Sequence, residues 1–384
     1  MPEPDMSPPS ISIIGAGVSG LALGRCLLRR GIRNVIYDRD TASTGASRHN
    51  YGITLSPKAF RPLLRFLDMD EGAFRKALAV DAATGGVGHV ARSPSRESDG
   101  SEDVRVNRRK LEATLREGLD VQWDHSLDSL FTEKGTSMLE FSNGRKSQAS
   151  IVVGADGVHS SVRKAVSAES RLNILPFVAY YGRRRVSVDE FTKIFAPELD
   201  GANLIEHRHG QTLFRIAVDD MDEERIGLSY TYSRPARRDD ALFAPNRPTT
   251  GAKKIPDELF SEISGLAPSL SGPFRDVFDA KNMRNDRIMN WLMRSVAVDV
   301  LDLRAAAQKR LLLIGDAAHA MPILSGSGAN EAIVDSAELA DYIAEHGTGS
   351  LTSWYDGKYT RWEKMVRDSE FMLADMHAEE KSNL

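Results

Sequence analysis

Short apolar runs that stop at a glycine alternate along the chain with stretches of helical periodicity. The run ISII at 11–14 leads into GAGVSGLALGRCLLRRG, and NVIYD at 34–38 follows. Further along, LLLIG at 311–315 leads into a loop of small residues and a predicted helix at 329–343. Because parallel strands need a long crossover, usually a helix, this order predicts a parallel sheet with right-handed connections. The apolar spacing of the last helix puts Asp335 on its outer face.

Two segments between these regions also have clear patterns. VNRRKLEATLREGL at 106–119 has leucines spaced by four, which predicts an amphipathic helix. SMLEFSNGRKSQASIVVGADG at 137–157 predicts a strand, an Asn-Gly turn and a second strand. That second strand ends, like LLLIGD, in glycine and aspartate. Asp316 is expected at the carboxyl end of its strand, the edge at which α/β sheets bind ligands.

The region 173–294 has a different pattern. Its segment VAYYGRRRVSV at 178–188 and the similar pieces that follow read as strands, ahead of a Pro-, Asn- and Arg-containing loop at 234–248. We therefore expect a second, β-rich domain. The predicted division of the chain is a disordered tail at 1–10, a first domain at 11–80, 101–172 and 295–345, a second at 81–100 and 173–294, and C-terminal helices at 346–384.

The composition excludes several classes of protein. The 384 residues carry a net charge of −4, with 41% hydrophobic and 27% charged residues, which gives no electrostatic case for binding nucleic acid or a membrane surface. No apolar run reaches the roughly 18 residues of a membrane span. The single cysteine, Cys26, rules out an intrachain disulfide and suits a reducing, cytoplasmic location. It is expected to be buried filler in a helix.

The first motif with chemical meaning is GAGVSG at 15–20. Gly15 permits a tight turn, Gly17 leaves room for a pyrophosphate at the backbone, and Gly20 permits close helix–strand packing. The helix N-terminus offers free N–H groups to the phosphates. Asp38 ends the second strand about 20 residues later, where a carboxylate accepts bonds from ribose hydroxyls. The motif predicts a dinucleotide site that favours FAD or NAD over NADP.

Two later motifs complete a set of three: GADGVHSSVRKAV at 154–166 and GDAAHAMPILSGSGAN at 315–330. With them the chain resembles the single-component flavoprotein monooxygenases of the para-hydroxybenzoate hydroxylase type, which have such motifs in this order. The pieces YGITL at 51–55 and WLMRS at 291–295 look most like fungal members acting on secondary metabolites. The resemblance covers the whole chain. It implies an α/β fold: a Rossmann-like FAD-binding domain with a parallel sheet, a β-rich substrate domain and C-terminal helices.

The resemblance also implies non-covalent FAD, with NADPH or NADH as a transient co-substrate. Asp38 would hold the adenosine ribose, Arg108 would reach the FAD, and Asp316 would bind the ribityl chain. Arg48 would contact the flavin or a phosphate, within a loop at 47–55 beside the flavin ring. Asp156 and Arg163 would contact both FAD and the reductant. Gly328 and Ala329 would lie against the ring. Many members have Gly-Gln-Gly where this chain has Gly326-Ser327-Gly328, which puts the contact made by that glutamine in doubt.

The predicted strand at 178–188 supplies the candidate substrate contacts. Side chains alternate along a strand, so Tyr181, Arg183 and Arg185 share one face while Arg184 points the other way. In the resembled family one face of this sheet borders the substrate. We expect Tyr181 and Arg183 there, with Arg185 at the rim and the Arg184 face solvated. The alternative is a basic, exposed edge strand.

The resemblance implies a monooxygenase that uses NADPH or NADH and O2. A flavin hydroperoxide would hydroxylate or epoxidise a small molecule that contains an aromatic ring or an alkene. The substrate would be an aromatic or polycyclic compound, such as a secondary metabolite. No metal is expected, and His319 is interpreted as a packed, hydrogen-bonded residue. The alternatives are an FAD oxidoreductase of the same fold without oxygen insertion, or a cyclase. The protein would be a monomer or a homodimer.

Overall fold

The structure is a computed structural model that describes residues 11–91 and 102–379. The predicted tail at 1–10 and part of the predicted segment 81–100 lie outside the described residues. The strands, in chain order, are β1 (Ile11–Ile14), β2 (Asn34–Tyr37), β3 (Gly52–Leu55), β4 (Val104–Asn107), β5 (Val121–Gln122), β6 (Leu127–Glu133), β7 (Thr136–Phe141), β8 (Lys146–Ala149), β9 (Ile151–Gly154), β10 (Asn173–Ile174), β11 (Phe177–Ser187), β12 (Leu204–His209), β13 (Thr212–Met221), β14 (Arg225–Pro235), β15 (Arg287–Asn290), β16 (Arg294–Ala297), β17 (Leu311–Leu313) and β18 (His319–Ala320).

Helices separate successive strands from β1 to β5. They are α1 (Val18–Arg29), α2 (Ala42–Ser47), α3 (Pro57–Leu67), α4 (Glu71–Leu78), α5 (Arg108–Arg116), α6 (Ser161–Val166), α7 (Val188–Glu190), α8 (Ala196–Leu199), α9 (Asp257–Leu266), α10 (Gly272–Val277), α11 (Ala280–Met283), α12 (Val300–Gln308), α13 (Gly328–His346), α14 (Leu351–Asp356) and α15 (Tyr359–Asp375). In the described part of the chain, no helix combines the length and the apolar character needed to cross a membrane.

A five-stranded parallel sheet in the order β17-β9-β1-β2-β5 organises the first motif and the two later ones. Every residue of β1 and β9 is buried, as in parallel sheets covered on both faces. Helices α1 and α13 pack together, and the Ser336 hydroxyl donates to the Ser19 backbone oxygen at 2.8 Å. The predicted α/β class with a parallel sheet is confirmed.

A second sheet is antiparallel, in the order β12-β13-β14-β11-β15. Strands β11 and β14 pair over their full length, from Phe177 opposite Pro235 to Ser187 opposite Arg225. A separate hydrophobic cluster, with Tyr180 and Phe214 among its buried members, packs on this sheet together with α9 and α10. This is the β-rich part that the alternating pattern predicted.

Two predicted elements have different bounds in the structure. The strand predicted through IVVGADG is interrupted at Ser150, because β8 pairs with β7 in an antiparallel sheet while β9 joins the parallel sheet. The helix predicted at 106–119 begins at Arg108. Its first predicted residues belong to β4, which pairs with β3, and the Asn107 side chain caps the helix by accepting from the Lys110 N–H at 3.1 Å.

The C-terminal helices connect the two sheets. Trp354 of α14 and Trp362 of α15 are buried against the cluster around the parallel sheet. Further along, Leu373 and Met376 pack with Ala179 of the antiparallel sheet in a small separate cluster. Helix α15 therefore spans the boundary at which the candidate site lies.

Candidate active site

The first glycine motif forms the turn between β1 and α1. Gly15 has a φ of +107°, and a Cβ there would lie 2.5 Å from the backbone oxygen of Ala155. A Cβ on Gly20 would lie 1.9 Å from the backbone oxygen of Gly15, so both positions require glycine. Gly17 differs, because the atom nearest to a Cβ on it is Arg108 Nη2, 3.8 Å away. Its backbone is thus open to the cavity that it borders.

Arg48 and Asp38 form an ion pair next to this turn. Asp38 Oδ2 accepts a hydrogen bond from the Ala16 N–H at 2.6 Å, and Arg48 Nη1 donates to Asp38 Oδ1 at 3.1 Å. Arg48 Nη2 also donates to the Ala16 backbone oxygen at 2.5 Å. Tyr51 and Gly52 of the same loop border the cavity instead. Arg48 therefore lies at the Asp38 end of the motif, apart from the rest of the segment that the sequence placed beside the flavin ring.

Asp156 and Arg163 of the second motif support the backbone and do not border the cavity. The Asp156 carboxylate accepts from the Ser161 N–H at 2.6 Å and so caps α6. Arg163 Nη1 donates to the backbone oxygen of Asp316 at 3.2 Å, which ties the second motif to the third. The cavity is bordered at this point by residues 157–159. Direct contacts of Asp156 and Arg163 with a cofactor or reductant stay predictions.

Asp316 of the third motif follows β17 at the carboxyl edge of the parallel sheet. Its carboxylate borders the cavity, and among the described residues it receives no hydrogen bond. Burial raises the pKa of this carboxyl, although the charges of His319, Arg108 and Arg163 oppose the rise. Gly328 is the first residue of α13. It lies close to Asp316, because a Cβ on it would be 3.4 Å from Asp316 Oδ1. An unsatisfied carboxylate at this depth is suited to hydroxyl donors of a ligand.

The prediction that Asp335 lies on the outer face of its helix is wrong. The residue is 0% exposed, and its Oδ2 lies 2.5 Å from His319 Nε2 and accepts from the Gly315 N–H at 3.1 Å. Its Oδ1 accepts the Trp362 indole N–H at 3.0 Å. Helical periodicity assigns polar residues to the surface, but a carboxylate with several buried donors is stable inside. His319 is packed and hydrogen-bonded, as predicted.

A cavity of about 450 Å³ lies between the carboxyl edge of the parallel sheet and the antiparallel sheet. This volume is within the range of small-molecule sites. Six of the predicted site residues border it: Gly17, Arg108, Tyr181, Asp316, Gly328 and Ala329. The predicted residues that do not border it are Gly15, Gly20, Asp38, Arg48, Asp156, Arg163, Arg183 and Arg185.

Arg108 is a fixed positive charge at the cavity. Its Nη1 donates to the Tyr51 hydroxyl at 2.5 Å and its Nε donates to Glu112 Oε1 at 2.9 Å. Burial alone would lower the pKa of Arg108, but Tyr51 and Glu112 raise it. Burial would likewise raise the pKa of Glu112, yet Arg108 and His49 hold it at about 2. The guanidinium is therefore held in place by one carboxylate and one phenol.

Side chains alternate along β11 as predicted. Arg183, however, does not line the cavity, whereas Tyr181 on the same face does. Tyr181 lines the cavity, stacked on Trp291 with ring centroids 4.1 Å apart. Arg183 donates to the Asn50 backbone oxygen and lies 3.5 Å from Asp219. A buried carboxylate attracts any guanidinium within reach, because its own desolvation must be offset. Asp219, which the sequence reasoning did not consider, therefore explains the position of Arg183.

The opposite face of β11 is not solvated, contrary to expectation. Arg184 makes a bidentate contact with Asp286, with Nη2–Oδ2 at 2.7 Å, and Tyr230 donates to the same carboxylate at 2.8 Å.

Arg185, expected at the rim of the cavity, forms an ion pair with Asp220 instead. The alternative of a basic exposed edge is also wrong, because β11 lies between β14 and β15.

Several cavity residues were missed by the sequence reasoning. They are Arg105, Arg215, Arg247, Arg294, Trp291 and Met372. Trp291 and Arg294 lie in the WLMRS piece that carried part of the family resemblance, so a signal for them existed. Arg247 lies in a loop that has no periodic pattern, and nothing in the sequence marks it.

The residues present fit a dinucleotide such as FAD. The open backbone at Gly17 precedes α1, and the N-terminus of α13 at Gly328 borders the same cavity, as does the unpaired Asp316 carboxylate. Helix N-termini favour anionic groups, and a free carboxylate accepts hydroxyl groups of a sugar-like chain. In the described residues, no three His, Cys, Asp or Glu side chains lie together as metal ligands would.

Comparison with known proteins supports this assignment. The FAD binding domain family matches residues 9–179 and 287–365. The chain is 32% identical to the FAD-dependent monooxygenase vrtH of Penicillium aethiopicum over 96% of this chain and 92% of the relative. It is 31% identical to the FAD-dependent monooxygenase adaC of Aspergillus niger over 97% of this chain and 94% of the relative.

A solved structure with the same fold is 2,6-dihydroxypyridine-3-hydroxylase from Arthrobacter nicotinovorans. Its TM-score is 0.73 at 19% identity, over 98% of this chain and 95% of that one. The predicted family and the predicted fold are both confirmed. The chain therefore belongs to the FAD-binding-domain family, as one of its FAD-dependent monooxygenases.

Proposed function

We propose that this enzyme takes electrons from NADPH or NADH and inserts one oxygen atom of O2 into an electron-rich aromatic or alkene-containing small molecule, such as a secondary metabolite. Bound FAD would supply the redox chemistry and the activation of oxygen. One observation carries the proposal: the unpaired Asp316 carboxylate and the Tyr181–Trp291 stack border the same cavity. A cofactor held at Asp316 and a flat substrate on the stack would therefore share one space.

The wall opposite the cofactor motifs is suited to a flat, partly apolar ligand. Stacked aromatic rings such as Tyr181 and Trp291 provide a broad apolar surface for another ring. Met372 and Met376 border the same cavity, and their flexible thioethers adapt to irregular shapes. Burial, and then Asp219, raise the pKa of Tyr181 well above its usual value, so this phenol stays protonated. Its hydroxyl donates to Asp219 Oδ2 at 3.5 Å.

The reductant is expected to bind transiently. The sequence has one glycine fingerprint, at 15–20, and no second one for the nicotinamide. The reductant would bind at the cavity, reduce the flavin and leave before oxygen is transferred to the substrate. Both NADPH and NADH are therefore used in the test.

The test is substrate-stimulated reduction. FAD-loaded protein is mixed with NADPH or NADH and a panel of polycyclic phenols and indoles, and flavin reduction and H2O2 release are followed. We expect some members to accelerate reduction and to suppress H2O2 release. Trp291→Leu should lose the acceleration, whereas Phe371→Leu, at a residue that is 68% exposed, should retain it. Acceleration by no member, or equal behaviour of the two variants, would contradict the proposal.

A further inference from the structure

The arginines around the cavity fall into two groups. Arg105, Arg108 and Arg215 each have an acidic partner, at Asp219, Glu112 and Glu206 respectively. Arg247 and Arg294 have no acidic partner among residues 11–91 and 102–379, although both border the cavity. Half-buried charges are costly unless they are compensated, so this pair marks a place where negative charge is missing.

Arg247 is oriented by neutral acceptors only. It lies in the loop between β14 and α9, where its Nε donates to Asn290 Oδ1 at 3.0 Å and its Nη2 donates to the Asn290 backbone oxygen at 2.6 Å. Its Nη1 donates to the Pro248 backbone oxygen at 3.3 Å. These bonds fix the guanidinium plane at the cavity without neutralising its charge. A planar fork held in this way is prepared for an oxygen anion.

Arg294 adds a second charge at the same end. It begins β16, four residues after Asn290, and no side-chain hydrogen bond to it is found in the described part of the chain. Burial lowers the pKa of Arg294, and the nearby charge of Arg247 lowers it further. Burial and then Arg294 also lower the pKa of His159, another cavity residue. Positive charge therefore accumulates here.

The one unpaired acid of the cavity does not compensate these arginines. The charges that act on the pKa of Asp316 are those of His319, Arg108 and Arg163, and neither Arg247 nor Arg294 is among them. Among the described residues, Asp316 also forms no ion pair with either arginine. Trp291, which stacks on Tyr181, lies between Asn290 and Arg294 in the chain, so the aromatic wall adjoins the uncompensated charges.

We propose that Arg247 and Arg294 bind an acidic group of the substrate, a carboxylate or an enolate, while its ring rests on the Tyr181–Trp291 stack. This inference rests on the proposed function and names its substrate class as acidic, ring-containing molecules. A phosphate of NADPH or NADH carries the same oxyanion chemistry. The two sources are separated by the test, and a phosphate at this site would overturn the substrate assignment.

The test uses FAD-loaded wild-type protein, Arg247→Met and a matched control, Arg238→Met. Arg238 lies in the same loop with a side chain that is 97% exposed. Hydroxynaphthoate and its methyl ester are titrated, and binding is read from the change in flavin absorbance. We expect the wild type and Arg238→Met to prefer the acid. Arg247→Met should bind the acid about 10- to 100-fold more weakly, the usual range for a lost charge-assisted bond, with ester affinity unchanged.

Three results would overturn the proposal. The first is equal affinity of the wild type for acid and ester, and the second is unchanged acid affinity in Arg247→Met. The third is a KM for NADPH that rises in Arg247→Met by as large a factor as the acid affinity falls, because a phosphate would then occupy the site. If Arg247→Met does not fold, the acid-to-ester affinity ratio is measured with Arg294→Gln, which should lose the preference for the acid. Failure of the wild-type protein to retain FAD would instead reject the proposed function, so the two failures are distinguishable.

Discussion

Asp335 and His319 lie 2.5 Å apart, Oδ2 to Nε2, at a position where both side chains are almost fully inaccessible. The same carboxylate accepts the N–H of Gly315, directly before Asp316, and the indole N–H of Trp362 on α15. Helix α15 leads to Met372 at the cavity wall. One buried carboxylate thus supports both the turn that presents Asp316 and the helix that closes the opposite side.

Replacing Asp335 by asparagine should strongly destabilise the protein. The amide nitrogen of asparagine would face buried N–H donors such as those of Gly315 and Trp362. Each buried donor left without an acceptor costs about 1–3 kcal/mol. Denaturant unfolding gives the free energy directly. Asp341→Asn, on the exposed side of the same helix near Arg65, is the control and should cost less than about 1 kcal/mol. Similar losses in the two variants would refute the role assigned to Asp335.

Gly17 and Gly20 should respond differently to a side chain. Gly17→Val should fold normally, because the nearest atom outside its own turn to a Cβ there is Arg108 Nη2 at 3.8 Å, but it should fail to bind FAD. Gly20→Ala should be destabilised, because its Cβ would meet the Gly15 backbone oxygen at 1.9 Å. Thermal unfolding and flavin content are measured for both. A yellow, FAD-containing Gly17→Val protein would show that the cofactor does not cross this turn.

Asp316→Ala should weaken FAD retention while leaving the fold intact. The carboxylate has no donor from the described residues, so its removal breaks no internal hydrogen bond. A lost charge-assisted bond to the cofactor costs roughly 1.5–3 kcal/mol, or about 10- to 100-fold in affinity. The FAD dissociation constant is the measurement. An unchanged constant would remove Asp316 from the cofactor site.

Glu112 should make stability depend on pH in the acid range. Its folded pKa of about 2 is depressed from the ordinary value of 4.5. A depressed carboxyl stabilises the fold above its unfolded pKa, and this contribution is lost as pH falls through the window from about 4.5 to 2. The wild type should therefore lose more unfolding free energy over this window than Glu112→Gln does. Parallel pH profiles for the two proteins would contradict the pairing with Arg108.

The sequence predicted those features that depend on local pattern. Strand–turn–helix order and the three motifs were enough to identify the parallel sheet, the position of Asp316 at its edge and the family. The role of Gly20 could also be predicted, because the packing it permits involves a neighbour only five residues away.

The features that it missed depend on contacts between distant segments. Asp335 meets Trp362, and Arg184 meets Asp286, 102 residues later. Arg183 was assigned to the cavity because its buried neighbour Asp219 could not be inferred from β11 alone. Strand alternation shows which side chains share a face, but it does not show which partner each side chain finds there.

Isotopically labelled dioxygen tests the central claim most directly. FAD-loaded enzyme is supplied with NADPH and with the panel member that most accelerates flavin reduction, and the product is analysed by mass spectrometry. We expect one labelled oxygen atom in the product and none when the label is placed in water. A product formed without labelled oxygen, with all dioxygen recovered as H2O2, would contradict the monooxygenase assignment and favour an oxidoreductase or cyclase of the same fold.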